Sequence, residues 1–202
     1  MNLIKQTMDQ HLEGHTNLEG QLSYHLTSIY DHTIYEHLSR VVQRLLPQVQ
    51  FISMMMDTLI ARSNIQKAFL FDVMSKIYIA TDSSPVSMMH YEICSELIDV
   101  LIDVTCIYGN EEDGTGSKFD KKSSSFIRLR HTNPEENIVL YLREVDKQLA
   151  LVCLINESEI YKHHLINYNL DRFKEGLKRI FEHSRAIQQQ HQQVTQEKKT
   201  QQ

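Results

Sequence analysis

The sequence predicts an α+β fold, in which an antiparallel sheet of five strands carries helices on one or both faces. Apolar residues recur every three to four positions in several long stretches, which is typical of amphipathic helices. Five short runs rich in β-branched and aromatic residues lie between them, and most of their links are short, as in an antiparallel meander. The order over residues 48–185 is α-β-β-α-β-β-β-α, which favours a layered α+β domain.

The first helices precede that sheet. Residues 22–27 alternate apolar and polar side chains and predict a short strand. Asp31 is suited to cap the helix that follows, and Pro47 ends it. A second helix starts directly afterwards and stops near Ser63. Two amphipathic helices that meet at a proline predict a domain boundary.

The remaining elements follow from the same two periodicities. We predict a hairpin of two strands over 67–72 and 76–81, a long helix over 88–108 and a loop at 109–123. Three further strands follow over 125–131, 137–145 and 147–155, and a last helix covers 165–185. The helix over 88–108 carries two adjoining apolar rows, one of which consists of Cys94, Ile98 and Ile102. A helix that covers only its own sheet needs one row, so this one is expected to meet a second partner.

Composition and motifs argue against most chemistries. The net charge of −5 disfavours nucleic-acid binding through a basic face, and no apolar run is long enough to insert into a membrane. None of the six glycines begins a phosphate-binding loop. The three cysteines, Cys94, Cys106 and Cys153, lie in apolar runs, which indicates reduced, buried thiols in a cytosolic protein. We identify no catalytic or metal-binding constellation, so the residues favour a binding or assembly module.

Several stretches resemble one family. Residues 26–32 (LTSIYDH), followed by an amphipathic helix, are similar to the end of the nucleotide-binding domain in Rag GTPases of the C/D type. Residues 68–73 (AFLFDV) and 75–86 (SKIYIATDSSPV) look like the C-terminal domain of the same family, as do residues 149–153 (LALVC). The resemblance implies a roadblock (longin-like) domain, which agrees with the strand order read from the pattern.

The resemblance also implies a division of the chain into three parts. Residues 1–46 correspond to the C-terminal remnant of a Ras-like α/β domain, 48–185 to the roadblock dimerisation domain, and 186–202 to a Gln-rich tail that we expect to be disordered. Thr27, Ser28 and Ile29 match the base-facing loop of the nucleotide pocket. The phosphate loop, both switches and the Asn-Lys-x-Asp motif are absent, so we expect no enzyme activity and no bound GTP, GDP or Mg²⁺, the ligands of the full-length family.

Family members pair with a partner of the Rag A/B type. The resemblance places the helix over 88–108 and the strand over 125–131 at that contact, with Cys94, Ile98 and Ile102 facing the partner. Ile127 and Leu129 are further candidates, since the sequence does not fix which strand face is turned outward. Such heterodimers are expected in the cytoplasm, recruited to the lysosomal or vacuolar surface on a pentameric Ragulator-like scaffold, where they recruit the target-of-rapamycin kinase complex in amino-acid signalling.

Two alternatives stay open at this point. The chain is either part of a working GTPase of the same family, or it is a different roadblock or longin protein, such as a trafficking adaptor. The segment Thr27 to Ile29 argues against the second alternative, because those proteins carry no remnant of a nucleotide-binding domain. It is also open whether the helix over 34–46 packs on the roadblock domain or whether residues 1–46 are loose.

Overall fold

The computed structural model describes residues 2–12, 24–108, 124–130, 132–133, 136–146 and 148–200. The predicted loop at 109–123 lies outside the described residues, as do the start of the strand predicted at 22–27 and the ends predicted at His131 and Lys147. The helices and strands are α1 (Asn2–Leu12), α2 (Thr33–Leu45), α3 (Val49–Ser63), β1 (Ile65–Asp72), β2 (Tyr78–Thr81), α4 (Met88–Tyr108), β3 (Ser124–Leu129), β4 (Ile138–Asp146), β5 (Leu149–Asn156), a 3₁₀ helix (Glu157–Lys162) and α5 (His163–Thr200).

The five strands form one sheet in the order β2-β1-β5-β4-β3, and every neighbouring pair is antiparallel. The long strands β1 and β5 lie side by side near the middle, with Phe69 opposite Val152. The α-β-β-α-β-β-β-α order predicted from the sequence is therefore confirmed, and the two edges of the sheet are the four-residue strand β2 and the six-residue strand β3.

Two apolar cores lie on opposite faces of the sheet. Because side chains alternate along a strand, Ala68 and Leu70 of β1 pack under α3 and α5, while Phe69 and Phe71 pack under α4. On the α4 side, Phe69, Phe71, Tyr78 and Tyr91 form an aromatic cluster with ring centroids 5.5–6.3 Å apart. The central strands are thus covered on both faces, which explains why their sequences are almost continuously apolar.

Helix ends differ from the predicted ones in two places. The N-cap of α2 is His32, not Asp31, although the Asp31 carboxylate accepts a hydrogen bond from the Thr33 amide at 3.0 Å. Helix α5 continues to Thr200, so the predicted end at 185 is wrong and the Gln-rich segment extends the helix. Gln, Glu and Lys have favourable helix propensities, and lengthening an existing helix is easier than starting one.

The segment before the roadblock domain is partly helical. Residues 24–27, the described part of the predicted strand at 22–27, are not in a strand, and no strand of the described sheet pairs with them. Helix α2 packs on the roadblock domain, because the buried Ser39 hydroxyl accepts a hydrogen bond from the Tyr78 amide of β2 at 3.1 Å. This contact decides the open question about α2 in favour of packing.

Candidate functional site

Strand β3 is an edge whose only strand partner in the described part of the chain is β4. Its residues alternate between exposed and half-buried positions. Phe126 is 45% exposed and lies 6.1 Å from the Tyr141 ring, with the Arg128 guanidinium 6.0 Å from the Phe126 centroid. An edge strand with an exposed aromatic ring is a surface to which another strand can be added.

The other face of β3 belongs to the core beneath α4. Ile127 and Leu129, which the sequence named as candidates for the partner interface, are half-buried against that core. They therefore lie at the rim where the sheet, α4 and solvent meet. Their contribution to a partner contact stays a prediction.

Helix α4 has one buried and one exposed apolar side. The buried side packs on the sheet through Tyr91, Cys94, Leu97, Ile98 and Leu101. The exposed side carries Val100, which is 52% exposed, and Val104, which is 44% exposed, and it continues through Met89, Ile107 and Tyr108. A row of exposed apolar side chains along one helix face is typical of a protein-binding surface.

The structure corrects the predicted partner-facing row. Cys94 and Ile98 have no exposed surface, because they pack on the sheet within the chain. Ile102 is half-buried against the same core. These three residues form the row that the helix turns to its own sheet, and the exposed row is the one that includes Val100 and Val104.

The two flanks of α4 have different neighbours. On one flank, acidic residues of α4 reach toward β2 and α2: Asp99 pairs with Lys76 at 2.6 Å, and Glu92 lies 3.7 Å from the His32 ring. On the other side, Ile102 and Ile127 contact the same core. The exposed apolar row of α4 and the free edge of β3 are thus two exposed features of a domain in which both elements border the same core.

The loop predicted to face a nucleotide base is organised by its own hydrogen bonds. The Ser28 amide donates to the Thr33 hydroxyl at 3.0 Å, and the Ser28 hydroxyl accepts from the Tyr30 amide at 3.1 Å. Thr27 and Ile29 are exposed. Its role in facing a nucleotide base stays a prediction.

Two of the three thiols are buried as predicted, but the prediction is wrong for Cys106, which is exposed near the end of α4. Chemistry at the two buried thiols is disfavoured by their surroundings. Burial raises the pKa of the Cys94 thiol, and burial, together with the nearby Asp82, raises the pKa of Cys153 to about 12. Both thiols are therefore protonated near neutral pH and are poor nucleophiles. Within the described ranges, no group of three or more His, Cys, Asp or Glu side chains could hold a metal ion.

Comparison with known proteins assigns the chain to a family. The family described as "Gtr1/RagA G protein conserved region" matches residues 1–98. "Ras-related GTP-binding protein C" of Homo sapiens is 53% identical over 161 residues, which are 80% of this chain and 39% of that protein. The chain belongs to the Rag GTPase family. Rag proteins of the C/D type share more than half of the aligned residues with it, which confirms the resemblance drawn from the sequence.

The similarity extends to fungal members of the Rag family. "GTP-binding protein GTR2" of Saccharomyces cerevisiae is 40% identical over 195 residues, which are 93% of this chain and 57% of that protein. This Rag chain spans about 39% of the length of the first mammalian relatives it matches.

A solved structure also resembles this Rag chain. MglB of Myxococcus xanthus superimposes with a TM-score of 0.49 at 14% identity, over 68% of this chain and 92% of that chain.

In the described residues of this Rag chain, no helix has both the length and the apolar character needed to cross a bilayer.

Proposed function

We propose that this chain is the heterodimerisation module of a Rag C/D-type protein and that it pairs with the equivalent domain of a Rag A/B-type partner. The proposal is carried by two exposed features of this domain together, the open edge of β3 and the exposed apolar row of α4. By family membership, the pair would act in amino-acid signalling to the target-of-rapamycin kinase complex, on a Ragulator-like scaffold at the lysosomal or vacuolar surface.

These two exposed features suit two kinds of contact. The backbone groups along the free side of β3 can extend the sheet across the interface, which gives affinity with little dependence on side chains. Val100 and Val104 supply apolar area that is favourable to remove from water. A partner with the same fold would present a matching strand and helix, which is the geometry of a pseudo-twofold contact.

Nucleotide chemistry is a separate part of the proposal. Residues 1–202 contain neither a G-x-x-x-x-G-K-[ST] loop nor an Asn-Lys-x-Asp motif. We expect the chain by itself to bind neither GTP nor GDP with Mg²⁺, because the Thr27–Ile29 loop offers only a base-facing edge. Titration with a fluorescent GTP analogue should show no saturable binding up to high micromolar chain, and micromolar affinity would contradict this prediction.

The pairing surface is tested with Val104→Asp. The new carboxylate would lie within an apolar contact, where burying an unpaired charge is strongly unfavourable. We expect the affinity for a co-expressed Rag A/B-type partner to fall by at least about 100-fold, which corresponds to roughly 2.7 kcal/mol. Because Val104 is 44% exposed in the single chain, the circular dichroism spectrum of the Val104→Asp variant should match that of the unmodified chain.

The matched control is Val41→Asp. Val41 is 42% exposed and also lies within a helix, but it is on α2, away from the proposed surface. Its partner affinity should stay within about threefold of the unmodified chain. Equal losses for both variants, or no loss for Val104→Asp, would show that the partner binds elsewhere. Ile98→Asp is unsuitable, since Ile98 is fully buried and the change would act through folding.

A further inference from the structure

We propose that α2 is a clasp that closes the β2 edge of the sheet and thereby restricts strand pairing to the β3 edge. When α2 is displaced, the freed β2 edge accepts the β3 strand of a second copy of this chain. The inference concerns the opposite edge from the proposed partner surface, so it does not depend on which protein binds there.

The clasp acts on one residue of β2. The Tyr78 amide donates to the Ser39 hydroxyl at 3.1 Å, and the Tyr78 carbonyl accepts from the Gln43 side-chain amide at 3.3 Å. Ser39 has no exposed surface, and its hydroxyl donates to the Tyr35 carbonyl at 2.7 Å. Side chains of α2 therefore occupy the donor and the acceptor that an added strand would use.

The clasp is also held at both ends of α2. At its start, the His32 ring lies 3.7 Å from Glu92 and packs edge-on against Tyr91 of α4, with ring centroids 6.0 Å apart. Just beyond its end, the Gln48 side-chain amide donates to the Ser184 hydroxyl of α5. A helix of 13 residues is marginally stable alone, so these contacts fix its position.

The face of α2 that docks combines polar side chains with the half-buried Val42. Ser39 and Gln43 face β2, whereas the apolar row of the helix points outward and is at least 38% exposed at each position: Ile34, Leu38, Val41 and Leu45. Packing of apolar surface is the main source of binding energy for most helices. The outward apolar row of α2 therefore contributes none of it to the contact with the strand. The hydrogen bonds that join Ser39 and Gln43 to Tyr78 are the most direct link between α2 and the β2 edge.

The consequence follows from having two different edges in one chain. Joining β2 of one copy to β3 of the next is a head-to-tail contact, and head-to-tail contacts that do not close into a ring produce open-ended assemblies. With α2 in place, only β3 is free among the described strands, so growth stops after one pairing. The clasp thus limits the chain to a pair.

Ser39→Ala and Ser39→Arg test the clasp in the full chain. Ser39→Ala removes the acceptor without adding volume, and we expect the Tyr78 amide to exchange its hydrogen about tenfold faster. Ser39→Arg places a long cation at a fully buried position and should push α2 from the edge. This variant should form concentration-dependent assemblies larger than dimers in sedimentation velocity, and the β3 amides should gain exchange protection as the concentration rises.

Val41→Arg is the matched control, because it puts the same side chain on the outward face of α2. The Val41→Arg variant should keep the Tyr78 amide protected from hydrogen exchange and should sediment at the same size as the unmodified chain. Unchanged Tyr78 exchange in Ser39→Ala would overturn the proposal. So would Ser39→Arg assemblies in which the β3 amides gain no protection. Val104→Asp loses the partner but keeps the clasp, so failure of the pairing surface and failure of the clasp give different results.

Discussion

The two edges of the sheet end in opposite ways. At β2, polar side chains of α2 bond to the strand, and the buried Ser39 hydroxyl accepts a hydrogen bond from the Tyr78 amide. At β3, no described element covers the strand, and Phe126 and Arg128 face solvent. Under the proposed pairing, one edge is closed within the chain and the other is open to a partner, so the fold can pair without being prone to aggregate.

A buried ion pair adds to the same contrast. Lys67 of β1 extends to Asp82, directly after β2, with 3.1 Å between Nζ and Oδ1, and both side chains are 3% exposed. The Lys67 ammonium also donates to the Ser84 carbonyl at 2.7 Å. Burial raises the pKa of Asp82, but hydrogen bonds from Ser84 and Ala68 and the charge of Lys67 outweigh it, and the pKa lies below its ordinary value.

The largest effect is expected from removing this pair at the closed edge. Lys67→Met leaves the Asp82 carboxylate buried without its cation, and breaking a buried pair in this way costs about 3–5 kcal/mol. We expect the free energy of unfolding, measured in urea at pH 7, to fall by that amount. Because Met fills a similar volume, the loss reports on charge rather than on a cavity.

Arg172→Met is the control for this variant. It removes an ion pair of similar length, 3.1 Å to Glu175, that is more than half exposed on α5. Exposed pairs contribute 0–1 kcal/mol, so its cost should be at most about 1 kcal/mol. The double variant Lys67→Met with Asp82→Asn should recover part of the loss. Equal costs for Lys67→Met and Arg172→Met would show that burial does not increase the cost of losing this ion pair.

Secondary structure was predictable because it follows from local periodicity. The helix predicted at 88–108 has those bounds in the structure, and the hairpin strands differ from the predicted ones by two residues at their starts. Asn64 ends α3 in the left-handed conformation, with φ of 53°, as a polar residue after a helix often does. The antiparallel order followed from the short links between strands.

The direction of a helix face was not predictable in the same way. Both α2 and α4 have apolar residues on more than one side, and periodicity shows only that such sides exist. In α4, the sheet side is the one with Tyr91, whose hydroxyl donates to the Lys76 carbonyl at 2.8 Å. That contact joins residues 15 positions apart in the sequence, and in this orientation Ile98 is buried and Val100 is exposed.

The contacts that close the β2 edge could not be predicted from the sequence, for a related reason. Ser39 lies 39 residues from Tyr78, and a single serine in an amphipathic helix has no local signature of an edge contact. Its position opposite the apolar row of α2 was the one available signal, since a small polar residue there permits close approach to another backbone. The position of Ser39 indicates an edge contact only when the fold is known to place α2 on β2.

The smallest expected effect concerns the second contact of the clasp, and it separates two explanations of the closed edge. Gln43→Ala removes the donor to the Tyr78 carbonyl, a contact of 3.3 Å, and should lower the free energy of unfolding by about 0.5–1 kcal/mol. Gln50→Ala, at an exposed position of α3, should change it by less than about 0.5 kcal/mol. If the two urea midpoints shift equally, Ser39 alone distinguishes the β2 edge from the β3 edge. If Gln43→Ala costs more, both the donor and the acceptor of Tyr78 must be occupied for the edge to stay closed.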